Sequence, residues 1–337
     1  MTAVAAAAAA ARTPSATTLA SNAFVATHIE AARDLGHRLA DEVDGPAGFV
    51  AATREGLATL ADPTYLAGQR LVAPGIGPLL GVRLPLLESV HRALADELRG
   101  VRAARLLPVA EALARDPLRE LRWFACWLLG RILPDDPERA WQVLRQLTAE
   151  ADDWITVDTL AATIGPGILR EPYRWAELEQ LVYSPSRWER RLVGSTVATI
   201  PFVDRAAGRT PDVAVRGLGL VGLLIGDPEP DVQKALSWAL RNLTAVDPAA
   251  VTAFCRREGG RAAATADGAR AWVVRDALAK LAPADAAGIR TLLAGVRRTS
   301  GAANTSAAGA TAAAFVHAGR GTATPGTPLD LNRRPIP

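Results

Sequence analysis

Lysine is nearly absent from this sequence: Lys234 and Lys280 are the two among 38 basic residues, leaving 36 arginines. That scarcity argues against amine chemistry through a Schiff base. Cysteine is equally thin. Cys126 and Cys255 share no CxxC spacing and have too few partners for a zinc or iron–sulfur site, so a reduced chain without metal or cofactor is expected. The four histidines, His28, His37, His91 and His317, are scattered in the tails and N-terminal helices, which excludes a Ser/His or Cys/His arrangement. No run of 18 apolar residues occurs, hence no membrane-spanning helix is expected. Residues 1–21 carry no basic residue before their apolar run, unlike a signal peptide, so a cytoplasmic protein is expected.

What is present suits a folded chain of 337 residues, 49% hydrophobic and 22% charged. The net charge of +3 is uneven: residues 256–337 hold 12 basic and 5 acidic residues, a net +7, against −4 for residues 1–255. A basic C-terminal portion suits an anionic partner such as DNA; solvated helix faces and the arginine-rich usage of a GC-rich genome account for it equally well. Both ends, residues 1–21 and 299–337, are Ala/Thr/Ser/Gly-rich and read as disordered tails around a domain at 22–298.

Punctuation between the tails is regular. Asp116-Pro117, Asp136-Pro137, Asp227-Pro228 and Asp247-Pro248 each read as a helix N-cap followed by proline in the first helical position. The spacing within each pair is 20 residues, one helix and a turn, so two units give a period of about 40, that of HEAT-type repeats. Strand signals are scarce, and in PERAWQVLRQLTAE the residues Trp141, Leu144 and Leu147 share one helical face. The expected fold is all-α, a superhelical solenoid of antiparallel helix pairs (HEAT-like repeats).

Three tryptophans keep company with charge at helical spacing. Trp154 and Asp158 are i, i+4 in DDWITVDTLA, where Asp152-Asp153 reads as the helix start. Trp188 and Arg191 are i, i+3 in SPSRWERRLV, and Lys234, Trp238 and Arg241 follow one face of DVQKALSWALRN. Any one of them reads more simply as a core anchor whose charged neighbour reaches to water, and Trp123, Trp127, Trp141, Trp175 and Trp272 are assigned that way. Together the three pairs fit a ligand that is locally cationic and carried on phosphates: indole faces attract cations by about 0.5–2 kcal/mol each, a carboxylate adds negative charge, and basic side chains hold phosphate.

These stretches, in this order, resemble the AlkD-type alkylpurine DNA glycosylases, a bacterial family of HEAT-like repeat proteins. Supporting elements are RWFACWLLGR and GPLLGVRLPLL (77–87), and the resemblance covers roughly residues 60–283. It implies that Trp154 and Trp238 flank the lesion, that Asp158 is the catalytic carboxylate and that Arg191 grips the DNA backbone. Trp188 is expected to pack and fix its helix, Arg190 to point away into solvent, and Lys234 and Arg241 to contact phosphates or to form a solvated face. The implied partner is double-stranded DNA containing alkylated bases, bound by a monomer in an open groove without a deep base pocket.

A cationic purine leaves without a general acid, so the chemistry needs only stabilisation of the positive charge growing on deoxyribose and a positioned water, which one carboxylate can supply. The resemblance is incomplete where the family carries an aromatic residue and a lysine before its Gly-Ile turn; here the sequence is RLVAPGIGPLL, with Tyr65 farther upstream. A DNA-binding repeat protein without glycosylase chemistry and a protein-binding HEAT scaffold are the alternatives.

Overall fold

The computed structural model describes residues 15–321, and among them it contains sixteen α-helices and no strand. These helices group into two compact units that divide between Leu147 and Thr148, where the sequence suggested one repeat domain over 22–298.

The first unit holds α1 (Ala16–Leu39), α2 (Pro46–Thr59), α3 (Pro63–Val72), α4 (Leu84–Glu97), α5 (Ala103–Ala114) and α6 (Arg119–Ile132), and α7 (Pro137–Ala149) runs through the division. Helix α1 packs on α4, and α5 on both α2 and α6. Phe124 of α6 is fully buried, meeting Phe49 and His91 edge-on, and His91 stacks on Trp127 at 4.5 Å. Burial pushes the His91 imidazole down to about 3, so this ring packs as a neutral aromatic group. The GPLLGVRLPLL segment is pinned from α6: the buried Glu120 carboxylate accepts from the backbone N–H groups of Leu80 (3.0 Å), Gly81 (2.8 Å) and Val82 (3.3 Å). Tyr65 lies half-buried beneath the Arg83 guanidinium, 5.0 Å from its ring centre.

The second unit holds α8 (Trp154–Arg170), α9 (Arg174–Gln180), α10 (Arg187–Val203), α11 (Pro211–Leu224), α12 (Pro230–Leu243), α13 (Pro248–Thr265), α14 (Gly268–Ala277), α15 (Pro283–Leu292) and α16 (Ala307–Gly321). Helices α8, α10, α12 and α14 form a row of neighbours, α11 and α13 cover it, and α15 packs on α13. Cross-contacts fix the direction. Asp158 meets Arg191 and Ser195, and further along the Ala161 carbonyl accepts from Thr199; Arg191 meets Asp231, and further along Asn242 donates to the Ala198 carbonyl. Helices α8, α10 and α12 therefore run parallel, with their N-termini at one end. Gly194 permits the close approach of α10 and α12, since a Cβ there would lie 2.9 Å from the Ala235 backbone and 3.0 Å from the Leu236 nitrogen.

Several expectations change. The helix α1 begins at Ala16, inside the 1–21 segment read as a tail, because Ser15 caps it and its alanines favour helix. Helix α16 likewise lies within 299–337, held by Ser306, whose hydroxyl accepts from Gly309, and by buried Ala308. The rest of both tails, 1–14 and 322–337, falls outside the described residues. Of the four Asp-Pro signals, Pro137 and Pro248 are first helical residues, and Asp247 caps α13. At the other two, α6 and α12 begin at Arg119 and Pro230, and the aspartate turns the chain just ahead of the helix by accepting from the N–H two residues on, at 2.8 Å for Asp116 and 2.9 Å for Asp227. Both carboxylates are buried against an arginine, Arg54 and Arg190, and that pairing holds them outside the helix proper. A fifth signal, Asp62-Pro63, caps α3. The face of Trp141, Leu144 and Leu147 is buried as expected.

Gly194→Leu would force α10 and α12 apart; a loss of about 1–3 kcal/mol, typical of overpacking, is expected in urea unfolding. Cys126 and Cys255 are buried, which pushes both thiols up to about 12, so neither should react with a thiol reagent until the protein is denatured.

Candidate functional site

Helix α8 starts where its sequence says it should. Asp153 is the N-cap, accepting from the Thr156 N–H at 2.8 Å and from the Thr156 hydroxyl at 2.7 Å, and Trp154 is the first helical residue. One turn later the Asp158 side chain leaves the buried face of Val157, Leu160 and Ala161 and stands against α10, with 22% of it still exposed.

Three donors reach that carboxylate. Arg191 donates from Nη2 to Oδ2 at 2.8 Å and from Nε to Oδ1 at 3.2 Å, a two-pronged charge-assisted pair. Ser195, one turn further along α10 and fully buried, donates from Oγ to Oδ1 at 2.7 Å. A carboxylate offers about four lone-pair positions, so one direction on Oδ2 stays open to an incoming group. The third arm of Arg191, Nη1, donates at 2.8 Å to the Asp231 carbonyl in the first turn of α12, and its guanidinium carbon lies 5.8 Å from the centre of the Trp154 ring. One arginine thus joins α8, α10 and α12 around a single carboxylate.

Trp238 stands on the far side of α10 at a similar height: Gly194 faces Ala235, Ala198 bonds Asn242, and Trp238 falls between. It is half-buried, like Trp154, while Lys234, one turn earlier on the same face, is exposed. The buried residues of α12 occupy its other sides, among them Val232, Leu236 and Leu240.

The structure thus places Trp154, Asp158 and Arg191 in direct contact, with Trp238 and Lys234 on the neighbouring helix. The Arg191 side chain is only 6% exposed, and three of its nitrogens are engaged with Asp158 and Asp231. Arg241 is ion-paired with Asp276 of α14 and lies 3.4 Å from the Ser237 hydroxyl. One expectation is altered. Arg190 is mostly buried instead of solvent-exposed: it donates at 2.7 Å to Asp227, which is fully buried, and at 2.8 Å to the Ser184 carbonyl. Trp188 is half-buried, with Arg187 over its ring at 4.7 Å. Ser195 escaped the sequence reading, although its i+4 position relative to Arg191 places both on one face.

The family model described as DNA alkylation repair enzyme matches residues 53–281, well over half of the chain. The chain belongs to the DNA alkylation repair enzyme family. All the residues of the Asp158 cluster, together with Trp238 and Lys234, lie within the matched span of this repair protein. No curated protein matches it. Among the described residues no helix is long and apolar enough to cross a membrane, and no group of three metal-ligating side chains converges.

Arg190 gives the clearest stability test in the repair protein. Arg190→Ala leaves the Asp227 carboxylate buried without its charge partner, and a loss of about 3–5 kcal/mol is expected in denaturant unfolding. Asp227→Asn in the same background should recover part of it, because the uncompensated charge is then gone.

Proposed function

We propose that this repair protein is a monofunctional DNA glycosylase that hydrolyses the N-glycosidic bond of N3- or N7-alkylated purines in duplex DNA. The observation carrying the proposal is a partly exposed carboxylate held by three donors with one acceptor direction left over, beside the half-buried Trp154 on its own helix. In this reading the cationic base meets the indole faces of Trp154 and Trp238. Its departure needs no proton, and the open Oδ2 direction of Asp158 faces the deoxyribose carbon, stabilising its developing positive charge and orienting water for attack. Arg191 and Ser195 act as positioning residues: they fix the carboxylate in advance, so little reorganisation accompanies the reaction. Lys234 contacts the phosphate backbone as the exposed cation of that face, and the protein acts in the cytoplasm as a monomer, without metal or cofactor.

The same pair supports a second reading, in which Asp158 and Arg191 fasten α8 to α10 in a DNA-binding protein without base excision. Asp158→Asn separates the two. Asparagine Oδ1 can still accept from Ser195 and Arg191 Nε, but the buried Arg191 loses its charge partner, so thermal melting and duplex binding of the variant are measured beside base release. Release of 7-methylguanine or 3-methyladenine from methylated DNA should fall by about 100- to 1000-fold, the usual loss when one transition-state electrostatic contact is removed. Normal release by the variant would sink the catalytic assignment. No release by the unaltered protein, with tight duplex binding, would favour the second reading.

A further inference from the structure

A second cluster of arginines lies in the same unit, beyond α12. The turn after α15 encloses a recess of about 470 Å³ with Arg275, Arg290, Arg297 and Arg298 on its walls. Its scaffold is well built. Arg275 donates to the Leu293 carbonyl at 2.7 Å and also to that of Val296, clamping the turn from beneath. Gly268, the first residue of α14, lets the backbone of Arg297 and Arg298 lie directly on the helix, since a Cβ there would collide with the Arg297 carbonyl oxygen. Arg298 donates to the Gln233 side chain of α12 at 3.0 Å, and its guanidinium lies 5.9 Å from the centre of the Trp272 ring. Arg290 and Arg297 are exposed, and among the described residues neither is joined to a carboxylate. Arg290 and Arg297 thus bring two charges without a carboxylate partner to this hollow, an arrangement that suits an anion.

Position ties this recess to the carboxylate site. Gln233, which holds Arg298, is two residues from Asp231, which holds Arg191, so both clusters anchor within one turn at the start of α12. The α14 start beside the recess is near the α12 start as well, because Thr305 bridges Gly226, ahead of α12, to the α14 cap Asp267.

We propose that the recess formed by Arg290, Arg297 and Arg298 over Arg275 binds phosphodiester groups of duplex DNA, apart from the base presented to Asp158. This rests on duplex DNA being the substrate proposed above. The site supplies affinity and register, while the chemistry stays with Asp158.

The test is a salt titration of binding to undamaged duplex, using the full chain and an Arg290→Ala/Arg297→Ala double variant, with thermal melting to show that the fold is intact. Losing two phosphate contacts should weaken binding on the order of tenfold at moderate salt and lower the slope of log K against log salt by about 2. Lysines at both positions should restore most of the slope, because a point charge still meets phosphate. Base release at limiting protein should fall in step with the lost affinity. An unchanged slope in the alanine variant, while the unaltered protein binds and excises normally, would overturn the recess alone. Duplex binding without excision, with the slope still falling in the variant, would sustain the recess and overturn the glycosylase reading. No duplex binding by the unaltered protein would overturn both. Inorganic phosphate separates the remaining source: if the double variant loses only affinity for free phosphate, the site takes a small anion and the DNA assignment fails.

Discussion

A single buried ion pair organises the functional half of this molecule. Asp158 and Arg191 are both largely removed from water, and taking two charges out of solvent costs several kcal/mol each unless geometry and further hydrogen bonds compensate. Here every nitrogen of the guanidinium has an acceptor, and the carboxylate has donors at three of its four positions. Arg191 reaches two carboxylate oxygens and a main-chain carbonyl, and Ser195 adds a hydroxyl, which together draw three parallel helices to one point. The position left over on Asp158 is the one that the proposed chemistry would use.

Close helix packing makes that geometry possible. Arg191 can span from α8 to α12 only if α10, which carries it, lies tight against its neighbours. Gly194, between Arg191 and Ser195 along the same helix, removes the Cβ that would hold α12 away. The residues that fasten the helices and the residues that aim the carboxylate therefore alternate within five positions of α10. A change at one is felt by the other through spacing, without any direct contact with substrate.

Arginine number says little about DNA contact in this protein, because pairing decides what each guanidinium can do. Arg190 and Arg241 are matched to Asp227 and Asp276, and Arg174 and Arg270 are buried with Glu171 and Glu258. Among the described residues Lys234, Arg290 and Arg297 stand exposed without such a partner, as do Arg38, Arg70, Arg92, Arg102, Arg205 and Lys280. The net charge of only +3 reflects 35 acidic residues set against the 38 basic ones.

Local chemistry was legible in the residues themselves. Periodic apolar positions and Asp-Pro signals set the all-helical class, and Asp153 marked the start of the helix that presents Trp154 and Asp158, because capping and helical periodicity act over three or four residues. The i, i+4 and i, i+3 spacings also named most of the cluster. Pairing across helices was not legible, since it depends on which residues 30 to 40 positions apart come to face each other. The sequence alone could not tell that Arg191 turns inward to Asp158, that Arg241 is neutralised by Asp276, that Arg190 is buried against Asp227, or that Ser195 completes the carboxylate's set of donors. Those outcomes follow from the register between α8, α10, α12 and α14, which close packing at glycine and alanine fixes only once the helices have assembled.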